Sequence, residues 1–396
     1  MSLSSKDSIV FVAAKRTPFG SFGGSFKDLT ATDLGVHAAQ SVIAELPGVE
    51  KEIEHVIFGN VIQTSKDAAY LARHISLRAG LPITVSAVTT NRLCGSGFEA
   101  IEDGIRRLKL NEASVVLVGG TESMSQSPYV LRQVRFGHKL GNSEIEDSLM
   151  TGLFDTYAQM PMAITAENLA TQYGIDRLQC DTFALNSQKK AWAATENKQF
   201  EKEITKVTLT EKGKSKEVSI DEHIRKEASI ESLQKLKPVF KTDGVITPGN
   251  ASGMVDGASA LIITTKQKAE SKGWPILGEW LGSHVVGCDP KIMGIGPVPA
   301  IQGLMKKTGT TLKDIARFEI NEAFAPQVLT CQKLLEIPDN KLNLEGGAIS
   351  IGHPLGASGA RLITHLLYQL KKSSSELGCA AACIGGGQGM ALLIRA

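Results

Sequence analysis

No apolar run in the chain approaches the length needed to cross a bilayer, so a membrane-spanning protein is not expected. Cysteine pairs of the CxxC kind are also missing. The 6 cysteines, Cys94, Cys180, Cys288, Cys331, Cys379 and Cys383, lie scattered, which argues against a zinc site or a disulfide framework and for a reducing compartment. A strong charge excess is absent: the net charge of +2 gives no support to a nucleic-acid partner, and any anion binding must come from a local patch. No signal peptide is expected, because the strand-like Ile9 to Ala14 follows almost at once on MSLSSKD, a leader too brief and too weakly basic to read as a transit peptide.

At 396 residues the chain is too long for one hydrophobic core, and 42% hydrophobic with 21% charged residues are the proportions of an ordinary soluble protein of two or three domains. From Ile9 to Leu81, apolar strands (IVFVAA, HVIFGNVI) alternate with helical runs (Asp33 to Leu46, Ala68 to Ala79), which predicts βαβ units and a largely parallel sheet. From about Met124 to Asn250 the chain turns polar and lysine-rich, with Lys189, Lys190, Lys198, Lys202, Lys206, Lys212, Lys214 and Lys216, and reads as an inserted, loop-rich domain. Those lysines fit either a solvated face or the mouth of a site for a phosphorylated ligand. ASALIITT then returns to the first region as a strand, and a second α/β region runs from about Pro275 to the end. Each α/β region has a reactive residue in a small-residue cluster, then an amphipathic helix, then an apolar strand ending in glycines (VVLVGG and ACIGGG), a weak sign of duplication with a site between halves.

The stretch VTTNRLCGSGFEAI, Val88 to Ile101, places Cys94 at a strand-to-helix junction, because Phe98, Ile101, Ile105 and Leu108 recur at helical spacing. A helix start offers free N–H groups and a positive dipole end, which favour a thiolate, and Gly95 and Gly97 leave room beside the sulfur. His353 lies in GHPLGASG, where the small residues imply close backbone approach. Cys383 precedes a glycine run whose N–H groups could hold an oxyanion, and Asn321 in NEAFAP could donate to a carbonyl oxygen or a water. Each of these has an ordinary structural reading when taken singly. Taken together they supply a nucleophile, a base, a second thiol for proton movement and amides for oxyanions, the set that acyl transfer with carbon–carbon bond making or breaking requires.

NRLCGSGFEAI, GNASGMVDGASA, NEAFAP, GGAISIGHPLGASGAR and CIGGGQGMA closely resemble the signature blocks of the thiolase family, in order and nearly end to end. DAAYLARHISLRAGLP, SQSPYVLRQVRFG and CDPKIMGIGPVPA are most similar to its mitochondrial 3-ketoacyl-CoA thiolase (acetyl-CoA acyltransferase) branch. The resemblance implies an α/β thiolase fold: two similar mixed-sheet halves in an αβαβα layering, with an inserted loop domain over CoA. The expected divisions are 1–123 for the N-terminal half, 124–250 for the insertion, 251–272 for the return and 273–396 for the C-terminal half.

It further implies CoA-dependent cleavage of a 3-ketoacyl-CoA in fatty-acid β-oxidation, with acyl-CoA and CoA as partners, CoA as co-substrate, no tightly bound cofactor and no metal. Cys94 would attack the keto carbon with His353 lowering its pKa, and Cys383 would move protons. Asn321, through a water, and His353 would hold one oxyanion, while the N–H groups of Cys94 and Gly385 would hold the other. Ala251, Ser252, Ala323 and Phe324 would contact the pantetheine arm, Leu153 and Met162 the acyl or pantetheine portion, and Arg225 and Ser232 the nucleotide end. The family forms homodimers and often homotetramers, and the related enzyme resides in the mitochondrial matrix, with the cytoplasm as the alternative.

Two positions depart from the family. Glu345 stands where asparagine often precedes the glycine pair, which puts that loop's hydrogen bonding in question. Pro161 stands where short-chain bacterial enzymes carry histidine, which favours a wider acyl range. The competing readings are an acetoacetyl-CoA thiolase acting on short chains or in the condensing direction, and a non-catalytic acyl-CoA-binding scaffold.

Overall fold

The computed structural model describes residues 8–211, 213–373 and 376–396; the leader MSLSSKD and Lys212 lie outside them. The strands that matter are β1 (Ile9–Arg16), β2 (His55–Gly59), β3 (Ser86–Thr90), β4 (Val115–Ser123), β5 (Val255–Thr265), β6 (Gly278–Gly287), β7 (Arg317–Ile320), β8 (Leu377–Ile384) and β9 (Gln388–Arg395). They run in the order β7-β8-β9-β6-β1-β5-β4-β2-β3 within a 10-stranded sheet, with Gly20–Ser21 pairing β5. The β2–β3, β2–β4 and β7–β8 pairs are parallel and the others antiparallel, so the sheet is mixed rather than largely parallel. Val10↔Glu279 and Phe11↔Gly278 join the two halves across β1 and β6.

The helices are α1 (Ala31–Ala44), α2 (Leu71–Arg78), α3 (Ser96–Lys109), α4 (Met162–Tyr173), α5 (Arg177–Glu196), α6 (Pro297–Thr308), α7 (Ala325–Leu335) and α8 (Ser358–Ser373); α4 and α5 pack on α7 rather than on the sheet. The layering follows from the period of two along each strand. In β4, Val115 and Leu117 join α1 and α2 in one core while Val116 and Val118 join α3 and α8 in another. In β8, Ala380 and Ala382 face that same middle core, whereas Cys379 and Ala381 face a third with α6 and α7. Both faces of both halves are therefore covered, in the expected αβαβα order. The middle helices meet almost backbone to backbone: a Cβ at Gly97 would lie 2.4 Å from the Ala360 nitrogen, and one at Gly359 would lie 2.4 Å from that of Phe98. Only glycine permits that approach, which brings the starts of α3 and α8 together.

The polar segment read as loop-rich contains two substantial helices. The α5 helix has 20 residues and a capping box in which Asp176 and Gln179 each bond the other's backbone. Its buried face is Cys180, Asp181, Ala184, Ser187, Gln188, Ala191 and Ala194, small or polar residues that carry no apolar period. Among the described residues, no helix is long and apolar enough to cross a membrane.

Candidate active site

Cys94 lies in the turn between β3 and α3. Leu93 before it has a φ of 48°, uncommon for a leucine, in a turn braced by Asn91 Oδ1 accepting from the Leu93 N–H at 2.9 Å. Ser96 closes the turn, accepting from the Arg92 N–H at 2.8 Å and donating to the Leu93 carbonyl at 2.7 Å. Cys94 is half-buried and packs against the cluster of Met124, Leu149 and Leu355, which Val61, Ile62 and Leu153 also border. Burial, with the negative charge of Glu122, pushes its thiol up to about 11, against the pull of the Gly385 and Cys94 N–H groups on the sulfur. The thiol form is therefore favoured in the resting site, contrary to the sequence expectation, because desolvation outweighs the pull of the two N–H groups.

His353 follows the short helix Ala348–Ile351 and Gly352, whose φ of 104° requires glycine. Its N–H donates to the Gly253 carbonyl at 2.9 Å. The Ser358 hydroxyl donates to the Pro354 carbonyl at 3.0 Å, so its oxygen accepts from Nδ1–H of His353 at 2.5 Å. That assigns the tautomer with a free Nε2 lone pair, to which Asn321 Nδ2 donates at 3.3 Å. Burial, then the charge of Arg361, pulls His353 down to about 3. The histidine is neutral and cannot stabilise a thiolate as a standing imidazolium, so the expected lowering of the Cys94 pKa is absent at rest. Its Nε2 is instead an available proton acceptor.

Cys383 ends β8, fully buried among Met293 and Ala323 with Met162 and Phe324 against it. Burial raises its thiol well above the usual value, and the nearby Cys94, Cys331 and Cys288 add to that. The chain then turns through Gly386 and Gly387, at φ of 78° and 82°. Gly385 stands beside Leu93 and Met162, where a Cβ would meet their side chains at 3.2 and 3.3 Å. The Met162 N–H donates to the Leu153 carbonyl at 3.0 Å. Ala251 pairs antiparallel with Phe324, and the Ser252 N–H donates to the Ala323 carbonyl at 2.9 Å, so these four residues form one wall.

Arg225 and Ser232 stand apart on the exposed face of the 124–250 segment. The Arg225 N–H donates to Gln188 Oε1 at 2.7 Å, and Ser232 is engaged with Ser229 at the start of the short helix Ile230–Gln234. Three of the lysines read as a possible phosphate mouth are engaged within the protein: Lys190 donates to the Leu342 and Asn343 carbonyls at 3.2 Å each, Lys206 pairs with Glu217 at 2.8 Å, and Lys216 donates to Ser25 Oγ at 3.0 Å. Glu345 has well-defined partners, accepting from Gln369 Nε2 at 2.7 Å and pairing with His365 Nε2 at 3.0 Å. Pro161 pairs with Phe154 in a short hairpin and begins α4. Among the described residues, no cluster of three or more His, Cys, Asp or Glu could hold a metal ion.

Three residues escaped the sequence reading. Ser358 sets the tautomer of His353, and its signal was a hydroxyl at the head of the next helix. Glu322, inside NEAFAP, accepts from Ser187 Oγ at 2.7 Å, Ile349 N at 3.1 Å and Asn343 Nδ2 at 2.9 Å, tying that motif to the histidine loop. Glu122 is the one carboxylate of a fully buried strand, set in its polar end between Thr121 and Ser123.

The family model for the thiolase N-terminal domain matches residues 9–267, and that for the C-terminal domain matches residues 274–396. The human mitochondrial 3-ketoacyl-CoA thiolase is 49% identical over 388 residues, covering 98% of each chain. A probable acetyl-CoA acyltransferase of Staphylococcus aureus is 45% identical over 390 residues, again 98% of each. The crystal structure of the human mitochondrial 3-ketoacyl-CoA thiolase in complex with CoA superposes with a TM-score of 0.95 at 49% identity, covering 98% of both chains. With both family models matched over nearly the whole chain, a relative 49% identical over 98% of it and the five layers in place, this chain belongs to the thiolase family.

Proposed function

We propose that the chain is an acyltransferase that cleaves 3-ketoacyl-CoA with CoA, giving acetyl-CoA and a shortened acyl-CoA in fatty-acid β-oxidation. CoA is a co-substrate and no tightly bound cofactor takes part. The observation that carries this reading is the pairing of two thiols, Cys94 with the Gly385 N–H on its sulfur and the nearby Cys383, supported by the Asn321-bonded Nε2 of His353.

The chemistry balances on these groups. His353 Nε2 takes the Cys94 proton as sulfur attacks the keto carbon, so charge appears only when substrate is there to receive it. The resulting alkoxide is held by the Cys94 and Gly385 N–H groups, where losing one donor typically costs about 100- to 1,000-fold in rate. Collapse breaks the C2–C3 bond and leaves an acyl-Cys94 thioester and the enolate of acetyl-CoA. Asn321, through a water, and the histidine now protonated at Nε2 hold the enolate oxygen while the Cys383 thiol protonates its carbon. The Cys383 thiolate then takes the proton of the incoming CoA thiol, which attacks the acyl-cysteine, and the released Cys94 recovers its proton from His353.

Ala251, Ser252, Ala323 and Phe324 would line the pantetheine path, Leu153 and Met162 the acyl or pantetheine portion, and Arg225 and Ser232 the nucleotide end. Assembly as a dimer or tetramer is supported by unpartnered apolar side chains around the hairpin near residue 130, where Phe136 and Leu140 are 90% and 93% exposed. A mitochondrial matrix location is supported by the human relative, while the staphylococcal one shows that the same sequence pattern also serves a bacterium.

CoA-dependent thiolysis of 3-ketoacyl-CoAs, from acetoacetyl-CoA to long chains, tests the reading beside Cys94→Ala. Turnover that favours medium or long chains and disappears in the variant is expected. Turnover confined to acetoacetyl-CoA would move the chain to the short-chain class, and none at all would leave an acyl-CoA-binding protein. Arg225→Ala should raise KM for CoA more than it lowers kcat; an unchanged KM removes Arg225 from the site.

A further inference from the structure

Glu122, near the end of β4, is fully buried and is acceptor to two separate parts of the molecule. Its Oε1 accepts from Asn60 Nδ2 at 2.9 Å and the Ile62 N–H at 3.0 Å, and its Oε2 from the Val61 N–H at 3.1 Å and the Gly356 N–H at 2.8 Å. Asn60 to Ile62 follow β2 in the N-terminal half, whereas Gly356 belongs to the histidine loop of the C-terminal half. Val61 and Ile62 pack, as Cys94 does, against one apolar cluster of Met124, Leu149 and Leu355, and Leu355 belongs to the histidine loop. One carboxylate thus grips both walls of the recess that holds the thiol. The loop has no freedom to move inward, since a Cβ at Gly120 would lie 1.9 Å from the Gly356 carbonyl oxygen. The Glu122 carboxylate opposes movement outward.

We infer that Glu122 is a positioning residue that registers the histidine loop against the Cys94 turn, so that Nε2 of His353 lies where it can take the thiol proton. The kinetic consequence rests on the thiolase reading above. A carboxylate can accept from all four donors, whereas a glutamine would turn an NH2 group toward two of them, losing two bonds and creating two donor–donor clashes. Glu122 also acts on Cys94 through space, since its negative charge is one of the influences raising that thiol. Burial lifts Glu122 itself to about 7, against the N–H groups of Ile62, Gly356 and Val61, so it is ionised under mildly alkaline conditions.

The test is Glu122→Gln at about pH 8, with three readouts: thiolysis kinetics, thermal melting, and iodoacetamide labelling of Cys94 followed by mass spectrometry. The expected result is a kcat lower by about 10- to 100-fold, as for a displacement of about 1 Å, with KM for CoA within about two-fold. Its partners line the thiol recess rather than the Ala251–Ser252 wall. Labelling of Cys94 should become faster, because a nearby negative charge has gone. Glu122→Asp, which keeps the charge but is shorter, should lose turnover without that acceleration. A lower melting temperature with unchanged kcat per folded molecule and unchanged labelling would reduce Glu122 to a structural residue and overturn the inference. If Glu122→Gln does not fold, Asn60→Ala removes a single donor and should lower kcat by about 3- to 10-fold; no change would overturn the inference equally. Should the wild type turn over no 3-ketoacyl-CoA, the thiolase reading fails, and the labelling rates still decide whether Glu122 controls the Cys94 environment.

Discussion

His353 and His365 lie in the same stretch of chain, one in the loop before α8 and one within it, and both are buried, at 5% and 2% exposed. They end at opposite extremes of protonation. Burial, then Arg361, pulls His353 down to about 3; its ring partners are the Ser358 hydroxyl and the Asn321 amide, both neutral. Burial pulls His365 the same way, yet the charges of Glu203 and Glu319 and hydrogen bonds to Glu203 and Glu345 carry it up to about 10. Desolvation discharges a histidine unless counter-charge is buried with it. The difference separates two jobs. The reacting groups Cys94 and His353 are kept uncharged, so that proton transfer awaits substrate, while the His365 centre is a standing ion network. That network continues through Glu203 to Arg16 at 2.7 Å and from Arg16 to Asp221 at 2.7 Å, fastening the polar segment to both halves.

The largest effects should come from deleting each histidine in turn. His353→Ala should lower kcat by about 100- to 10,000-fold with little change in stability, since it removes a proton acceptor with neutral partners. His365→Ala should instead destabilise the fold by about 3–5 kcal/mol, because it strands buried carboxylates, while the folded fraction keeps most of its turnover. Urea titration and steady-state kinetics on both variants measure this, and the contrast collapses if the two lose stability and turnover in parallel.

An intermediate effect should appear in the pH dependence of stability. Between the ordinary 6.5 and about 10, folded chains keep a proton on His365 that unfolded chains release, so its contribution is complete below 6.5 and fades as pH rises through that window. Between about 3 and 6.5 the unfolded chain binds a proton that His353 refuses in the fold, so stability falls as pH falls. Urea midpoints across pH should therefore show His365→Gln flattening the alkaline slope and His353→Gln reducing the acid one; identical slopes in the two variants would contradict the assignment. The smallest effect should be that of Glu345→Asn, about 1 kcal/mol by urea titration, since Glu203 remains hydrogen-bonded to His365. A loss as large as that of His365→Ala would make Glu345 the principal counter-charge instead.

The two histidines also mark where sequence reading stops. The turn at Cys94, the helix after it and the small-residue loop at His353 were legible, because a helix start, an apolar period and a glycine cluster are properties of neighbouring residues. The α5 helix was not, since its inward face of alanine, serine, glutamine and aspartate meets other polar groups rather than an apolar core. Glu345 left that loop's hydrogen bonding open in the sequence, because its partners Gln369 and His365 come from α8. Glu122 could not be interpreted at all, because its donors come from Asn60 to Ile62 and from Gly356.

The amino-acid sequence by itself determined the local geometry of this protein: which segments are strands and helices in the two α/β halves, where glycine must stand, and which nucleophile precedes which helix. Those features depend on backbone dihedrals and on side chains a few residues apart. Tertiary structure alone decided the protonation of the groups so placed, turning Cys94 and His353 into a neutral pair and His365 into a cation. That outcome depends on how much water is excluded and which charges are buried alongside, and both are set by segments remote in the chain, as with Glu203 and Glu319 around His365 and Arg16 beyond Glu203.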